Sequence, residues 1–197
     1  MKKLTLVLLT FLFCGSSWSQ TLDKYPFESS DKHPFGLLNP KAPRQTGDFA
    51  SMIGQSECFS ANRKPDGSWQ DSLKMLWTFK YIMNGMAVQD ETLKEDGKHS
   101  GSIRQYNADS AQWYVSYYSS SFAPNVLPVW YGNMKDGKIV LKMKQKSPNG
   151  FDGYSRLTFY DISDDSFKWI GEWIDVNETI VYPFWKISCY KKLDDSL

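Results

Sequence analysis

The feature that most constrains what this chain can fold into is the regular spacing of its turn signals. From Gly54 onward, short runs rich in β-branched and aromatic residues are interrupted by Pro65-Asp66-Gly67, Asn84-Gly85, Glu95-Asp96-Gly97, Asn107-Ala108-Asp109, Lys135-Asp136-Gly137, Pro148-Asn149-Gly150, Ser163-Asp164-Asp165 and Asn177-Glu178. Gly, Asn and Asp tolerate left-handed backbone and Pro presets φ, so each cluster can reverse the chain. The runs between them predict about nine or ten strands, near 55–63, 73–83, 86–93, 99–107, 111–119, 128–134, 138–146, 153–162, 167–176 and 180–191. None of the intervals offers an amphipathic helix of crossover length, which argues against a parallel α/β sheet.

Side chains alternate between the two faces of a strand, so residues of one parity share a face. Trp77, Phe79, Tyr81 and Met83 share one, as do Trp113, Val115 and Tyr117, then Leu157 and Phe159, then Phe167, Trp169 and Trp173, and finally Val181, Trp185 and Ile187. The opposite parity carries Thr78, Lys80, Lys142, Lys144, Lys146, Arg156, Thr158, Lys168 and Glu172, mixed with apolar residues. A meander of this length with one continuous aromatic face seldom stays open, and closure removes both sheet edges. The expected fold is therefore all-β, an antiparallel up-and-down barrel of about nine or ten strands spanning residues 48–191.

The chain ahead of the strands reads as a leader and an arm. Lys2 and Lys3 precede an apolar run from Leu4 to Phe13, and Ser17-Trp18-Ser19 supplies the small residues of a cleavage site, so residues 1–19 read as a signal peptide with Gln20 as the new N-terminus. The run is too short to span a bilayer, and bulky Phe11-Leu12-Phe13 ahead of Cys14 argues against lipidation. A periplasmic or secreted location without a membrane span is the expectation. From Gln20 to Gly47, Pro26, Pro34, Pro40 and Pro43 break regular structure, while Tyr25, Phe27, Phe35, Leu37 and Leu38 are spaced as docking residues of an arm packed on the domain. Asp48 to Ile53 is expected to form one short helical turn capped by Asp48, with Phe49 and Ile53 on one face. Residues 192–197 form a polar tail.

Charge and motifs exclude more than they assign. With 23 Lys+Arg against 22 Asp+Glu there is no basic footprint for nucleic acid. No dinucleotide fingerprint, phosphate loop, nucleophile elbow or zincin helix is present. His33, His99, Cys58 and Cys189 are scattered without metal-ligand spacing, so no metal or cofactor is expected. The acidic pairs Asp90-Glu91, Glu95-Asp96, Asp164-Asp165 and Asp194-Asp195 read mostly as solvated turn formers, and His99 as an exposed hairpin residue. No catalytic residue is assigned.

The order of features resembles the lipocalin-like (calycin) barrels, and especially uncharacterised exported bacterial proteins with lipocalin-like domains. The resemblance rests on Phe49 running into Met52-Ile53-Gly54, the Pro65-Asp66-Gly67 turn, Arg104-Gln105-Tyr106-Asn107 followed by Trp113, and the late Phe167-Lys168-Trp169 strand. The opening reads Gly54-Gln55-Ser56 where lipocalins carry glycine, any residue, then tryptophan. The resemblance implies an interior that holds a small apolar or amphipathic ligand, with no catalytic residues to carry over.

The candidate ligand-binding residues are then Trp77, Phe79, Tyr81, Trp113, Tyr117, Phe159, Trp169, Trp173 and Trp185, with Asp175 at the end of the aromatic face. Arg104 and Tyr106 share a face; if it points inward, Arg104 needs a carboxylate or an anionic ligand group, and otherwise it is an outward arginine. The long, apolar connection Ser119–Val129 reads as a lid carrying Phe122, Val126 and Leu127, or equally as the cap of an ordinary core. An isomerase or hydrolase using the same cavity, and a glycan-binding β-sandwich, are the alternatives. Cys58 lies in the first strand and Cys189 in the last, which closure makes neighbours, so their α-carbons are expected within about 7 Å. Either a disulfide or two buried free thiols fits that placement. Oligomeric state is not legible.

Overall fold

The structure is a computed structural model and describes residues 24–192. The expected signal peptide and nearly all of the C-terminal tail lie outside the described residues. Ten antiparallel strands follow in sequence: β1 (Gly54–Asn62), β2 (Leu73–Ile82), β3 (Ala87–Lys94), β4 (His99–Asn107), β5 (Gln112–Ser119), β6 (Val129–Lys135), β7 (Lys138–Lys144), β8 (Gly153–Tyr160), β9 (Ser166–Asp175) and β10 (Val181–Lys191). Each pairs with its sequence neighbour, and β1 pairs with β10 to close the barrel. The sandwich alternative falls here, because two stacked sheets would leave β1 and β10 as unpaired edges.

Closure brings the cysteines together. Cys58 and Cys189 are directly opposed in the β1–β10 register, their α-carbons are 4.1 Å apart, and they form a disulfide across 131 residues of chain. Both side chains are buried inside the barrel.

The 3-10 helix Arg44–Met52 enters one end of the barrel, here the helix end. It starts four residues earlier than the expected turn, and Asp48 does not cap it; Pro43 occupies the N-cap position without a side-chain bond. The Asp48 carboxylate instead accepts a hydrogen bond from Trp113 Nε1 at 3.0 Å, because the helix is pressed into the barrel and that indole would otherwise have a buried, unpaired donor. Phe49 and Met52, not Ile53, carry the fully buried face. Phe49 seats its ring edge-on against Trp113 (5.0 Å between centroids) and Phe159 (5.8 Å), and lies 6.3 Å from Phe79. These rings fill the helix end as a close-packed core.

The arm runs onto the β2–β3 hairpin, and its attachment is largely polar. Asn84 Oδ1 accepts from Phe27 N, Asn39 Nδ2 donates to Asn84 O, and Tyr81 N donates to Phe35 O. Tyr25, Leu37 and Leu38 remain more than a third exposed. Gly85 has φ +75°, and a β-carbon there would come within 2.3 Å of Leu37 O, so this turn requires glycine both for its own backbone and for the arm laid over it.

One register detail overturns part of the parity reading. A bulge between Pro183 and Trp185 inserts one residue into β10, so Tyr182 lies opposite Trp173 and Val181 opposite Ile174. Val181 therefore leaves the face of Trp185 and Ile187 and is exposed. Met83 leaves it too, as a turn residue at φ 55°. The outer face carries cross-strand ion pairs instead of a uniform charge: Arg156 meets Glu172 at 2.9 Å and Glu178 at 3.2 Å, and Lys142 meets Glu178 at 2.5 Å.

Candidate functional site

The barrel interior divides into a filled half and a small chamber. Below the midline the rings of Phe49, Phe79, Trp113, Phe159 and Phe167 are fully buried and pack against one another. Toward the far end, opposite the helix, a cavity of about 60 Å³ remains. Its floor is made by Trp77, Asp90, Arg104 and Phe159. One wall, from β3 and β4, presents Thr92, Ser100, Gly101 and Ser102; across the barrel Leu157, Trp169 and Trp185 form an apolar wall, and Tyr117 and Trp130 join the two.

The floor holds a buried charge pair. Asp90 and Arg104 are 3% exposed each and joined directly through Arg104 Nη1 and Asp90 Oδ1. Trp77 Nε1 donates to Asp90 Oδ2 at 2.6 Å and Ser102 Oγ to Oδ1 at 2.5 Å, so the carboxylate is well supplied with donors. Arg104 is not equally supplied. Its guanidinium lies 5.0 to 5.7 Å from the ring centres of Phe49, Phe79 and Phe159, and its buried Nε has no hydrogen-bond partner among the described residues. Aromatic faces attract the cation but leave its N–H donors unsatisfied.

At the far end the chamber is rimmed by half-buried groups. Trp185 Nε1 donates to Ser60 Oγ at 2.8 Å, Trp130 Nε1 to Ser155 Oγ at 3.2 Å, and Lys94 Nζ lies 4.3 Å over the Trp185 ring. Burial holds the Lys94 ammonium below the usual lysine range, opposed by the nearby Asp96 carboxylate and reinforced by Lys98.

Of the residues expected to bind ligand, Trp77, Arg104, Tyr117, Phe159, Trp169 and Trp185 come together around this chamber. Phe79 and Trp113 lie in the filled half, Tyr106 packs against Trp113 at 5.6 Å, and Tyr81 is buried where the arm crosses the barrel. Trp173 and Asp175 sit at the far rim outside the chamber, where Asp175 accepts from Ile180 N at 2.6 Å and Thr179 Oγ1 at 3.0 Å. Those bonds hold the Asp175 carboxyl below the usual range. In the 119–129 connection Phe122 packs on Tyr117 at 6.4 Å but is half exposed, Leu127 is 39% exposed and Val126 82%. His99 is exposed on the outer face, and among the described residues no cluster of His, Cys, Asp and Glu is placed to hold a metal ion.

Asp90 corrects the sequence reading most directly. It is no turn former but the middle of β3, facing inward. The signal was present: Val88, Asp90 and Thr92 share a parity, as do Ser100, Ser102 and Arg104 on the next strand, and an inward arginine requires a carboxylate. The hydroxyl wall and Trp130 were also missed, because serine and threonine alternate on outer faces just as readily.

No protein-family model matches the chain, and no curated protein does. Among solved structures, the chain is similar to the crystal structure of Rv2717c from M. tuberculosis, with 9% identity, a TM-score of 0.50, and coverage of 78% of this chain and all of that one. It also aligns with a protein of unknown function from the DUF3598 family of Nostoc punctiforme, at 6% identity over 76% of this chain and all of that one, but with a TM-score of 0.25. The first likeness establishes a shared fold and nothing finer, and the second carries no argument. What stands of the expected lipocalin-like family is the fold, a closed antiparallel barrel that resembles calycin-type barrels in general.

Proposed function

We propose that the protein is an exported carrier or sensor that holds a small apolar or amphipathic molecule in the far half of its barrel. The observation that carries this reading is a chamber that has the buried Asp90–Arg104 pair in its floor, hydroxyl groups on one wall and aromatic rings on the other. The aromatic wall supplies apolar contact for the body of such a molecule, and Lys94 at the rim supplies a charge for a polar head.

A chamber of about 60 Å³ is smaller than the roughly 150 Å³ cavity needed for benzene. Occupancy therefore requires Tyr117, Trp130 and the 120–128 segment to swing outward, and all of these lie at the partly exposed far end. Export agrees with the signal-like leader and with a disulfide, which persists in oxidising compartments. Native mass spectrometry of the full chain expressed in an exporting host tests both parts. The expected result is a chain beginning at Gln20 that carries a small-molecule adduct, lost on Arg104→Met. A mature protein without adduct, whose tryptophan emission also fails to respond to apolar probes, would overturn the binding reading.

A further inference from the structure

A ligand-sized space also lies outside the barrel. At the far end the β7–β8 loop and the β9–β10 turn face each other across a groove of about 750 Å³, within the range of roughly 300 to 1,000 Å³ usual for small-molecule sites. Trp173, Phe151 and Tyr182 contribute rings to it. The charged residues of its lining, Asp152 and Asp175, are both acidic. Phe151 is 68% exposed and Ile180, on the opposite bank, 60%, so the groove displays apolar surface that the fold itself does not bury.

The floor is built to hold its ring. Trp173 Nε1 donates to Gln145 O at 3.0 Å, and the indole lies against Gly153, where a β-carbon would come within 2.5 Å of it. Ser147, Asp175 and one oxygen of Asp152 are engaged in shaping the two loops. Both oxygens of Asp175 accept bonds from its own turn, Ser147 Oγ accepts from Phe151 N at 3.1 Å, and Asp152 Oδ1 accepts from Lys146 Nζ at 2.6 Å. What the groove offers is the ring surface of Trp173 and Phe151 and two carboxylates, with Lys146 set against Asp152 and Arg63 lying on the Tyr182 side. Tyr182 already carries the Arg63 guanidinium over its ring at 4.8 Å, so cation stacking is in use at the edge of the groove.

We propose that this groove binds a small organic cation whose charge is wrapped in apolar groups, a tertiary or quaternary alkylammonium. Such a cation needs no hydrogen bonds, stacks on aromatic faces and is drawn by carboxylates that do not touch it directly. The site is independent of the barrel chamber, since the two share no lining residue.

The test is titration of the nitrogen-15-labelled full chain with choline and with its neutral carbon isostere, 3,3-dimethylbutan-1-ol, following the tryptophan indole resonances. Choline is expected to shift the Trp173 indole saturably, and the isostere to bind roughly threefold to tenfold more weakly. Phe151→Ala, at an exposed loop position, and Asp152→Asn are each expected to weaken choline by a similar factor while the remaining spectrum is unchanged. Equal affinity for the two probes would reduce the site to a neutral apolar groove and overturn the proposal. So would the absence of any saturable shift at Trp173, or a choline response confined to Trp169 and Trp185 in the chamber.

Discussion

The buried Asp90–Arg104 pair allows a quantitative test of what holds the floor of the chamber. Replacing Arg104 with Met keeps most of its volume and removes its charge, leaving the Asp90 carboxylate with Trp77 and Ser102 as donors. Removing one partner of a buried pair typically costs about 3 to 5 kcal/mol, because the other charge is left uncompensated. Asp90→Asn should cost toward the low end of that range: the rings of Phe49, Phe79 and Phe159 continue to hold the guanidinium, although an amide cannot accept from Trp77, Ser102 and Arg104 together. The double variant has no uncompensated charge and loses chiefly the acceptor of one donor, a cost of about 1 to 3 kcal/mol. It should therefore be no less stable than either single variant, with a coupling of at least about 2 kcal/mol. Urea unfolding of all four proteins with the disulfide intact, at unchanged dependence on denaturant, supplies the cycle. Additivity within about 0.5 kcal/mol would refute the reasoning, since it would mean that the two charges do not depend on each other.

Cys58→Ser with Cys189→Ser should lower stability by about 5 kcal/mol in the chain-entropy model for a 131-residue separation, measured by denaturant melts against the oxidised protein. A loss below about 1 kcal/mol would mean that barrel pairing alone restrains the ends of the chain. Trp113→Ala should cost about 3 to 5 kcal/mol as a filled-core truncation, and Tyr117→Ala clearly less, with apolar-probe binding altered only by the latter; equal losses in thermal melts would contradict the division of the interior. Asp48 is raised above the ordinary aspartate range, first by burial, with the Trp113 bond and Arg44 opposing. Its proton is held more tightly folded than unfolded, so its contribution is most favourable below the unfolded value and is lost as pH rises through the folded one. Asp48→Asn should accordingly raise the melting temperature at neutral pH and leave it unchanged near pH 3; a gain that persists in acid would count against this account. Asp175 runs the other way: its lowered value means that the β9–β10 turn is held above the unfolded aspartate value and released as pH falls through the folded one. The protection of the Ile180 amide relative to intrinsic exchange should fall over that acid range and stay constant above it.

The sequence by itself determined a strand count of about nine or ten, the turns, the antiparallel order and most of the aromatic inner face. These follow from local chemistry, since turn residues act within four positions and alternation is a property of each strand alone. It also brought Cys58 near Cys189, because a meander that closes can only join its first strand to its last. Tertiary structure decided which aromatic residues fill space and which border it. Trp113 and Trp169 share the same inward parity, yet one is buried under Phe49 and the other borders the chamber, because the helix Arg44–Met52 enters from one end only. Whether Arg104 faced in or out was equally undecidable from β4 alone; the answer lay on β3, in an aspartate that looked like half of an acidic turn pair until the register set it beside the arginine. The bulge at Pro183 and Trp185 had the same non-local character, moving Val181 outward and Tyr182 to the rim beside Trp173. Period and turn type are encoded within a few residues, whereas the contents of a barrel depend on what every other strand projects into the same shared volume.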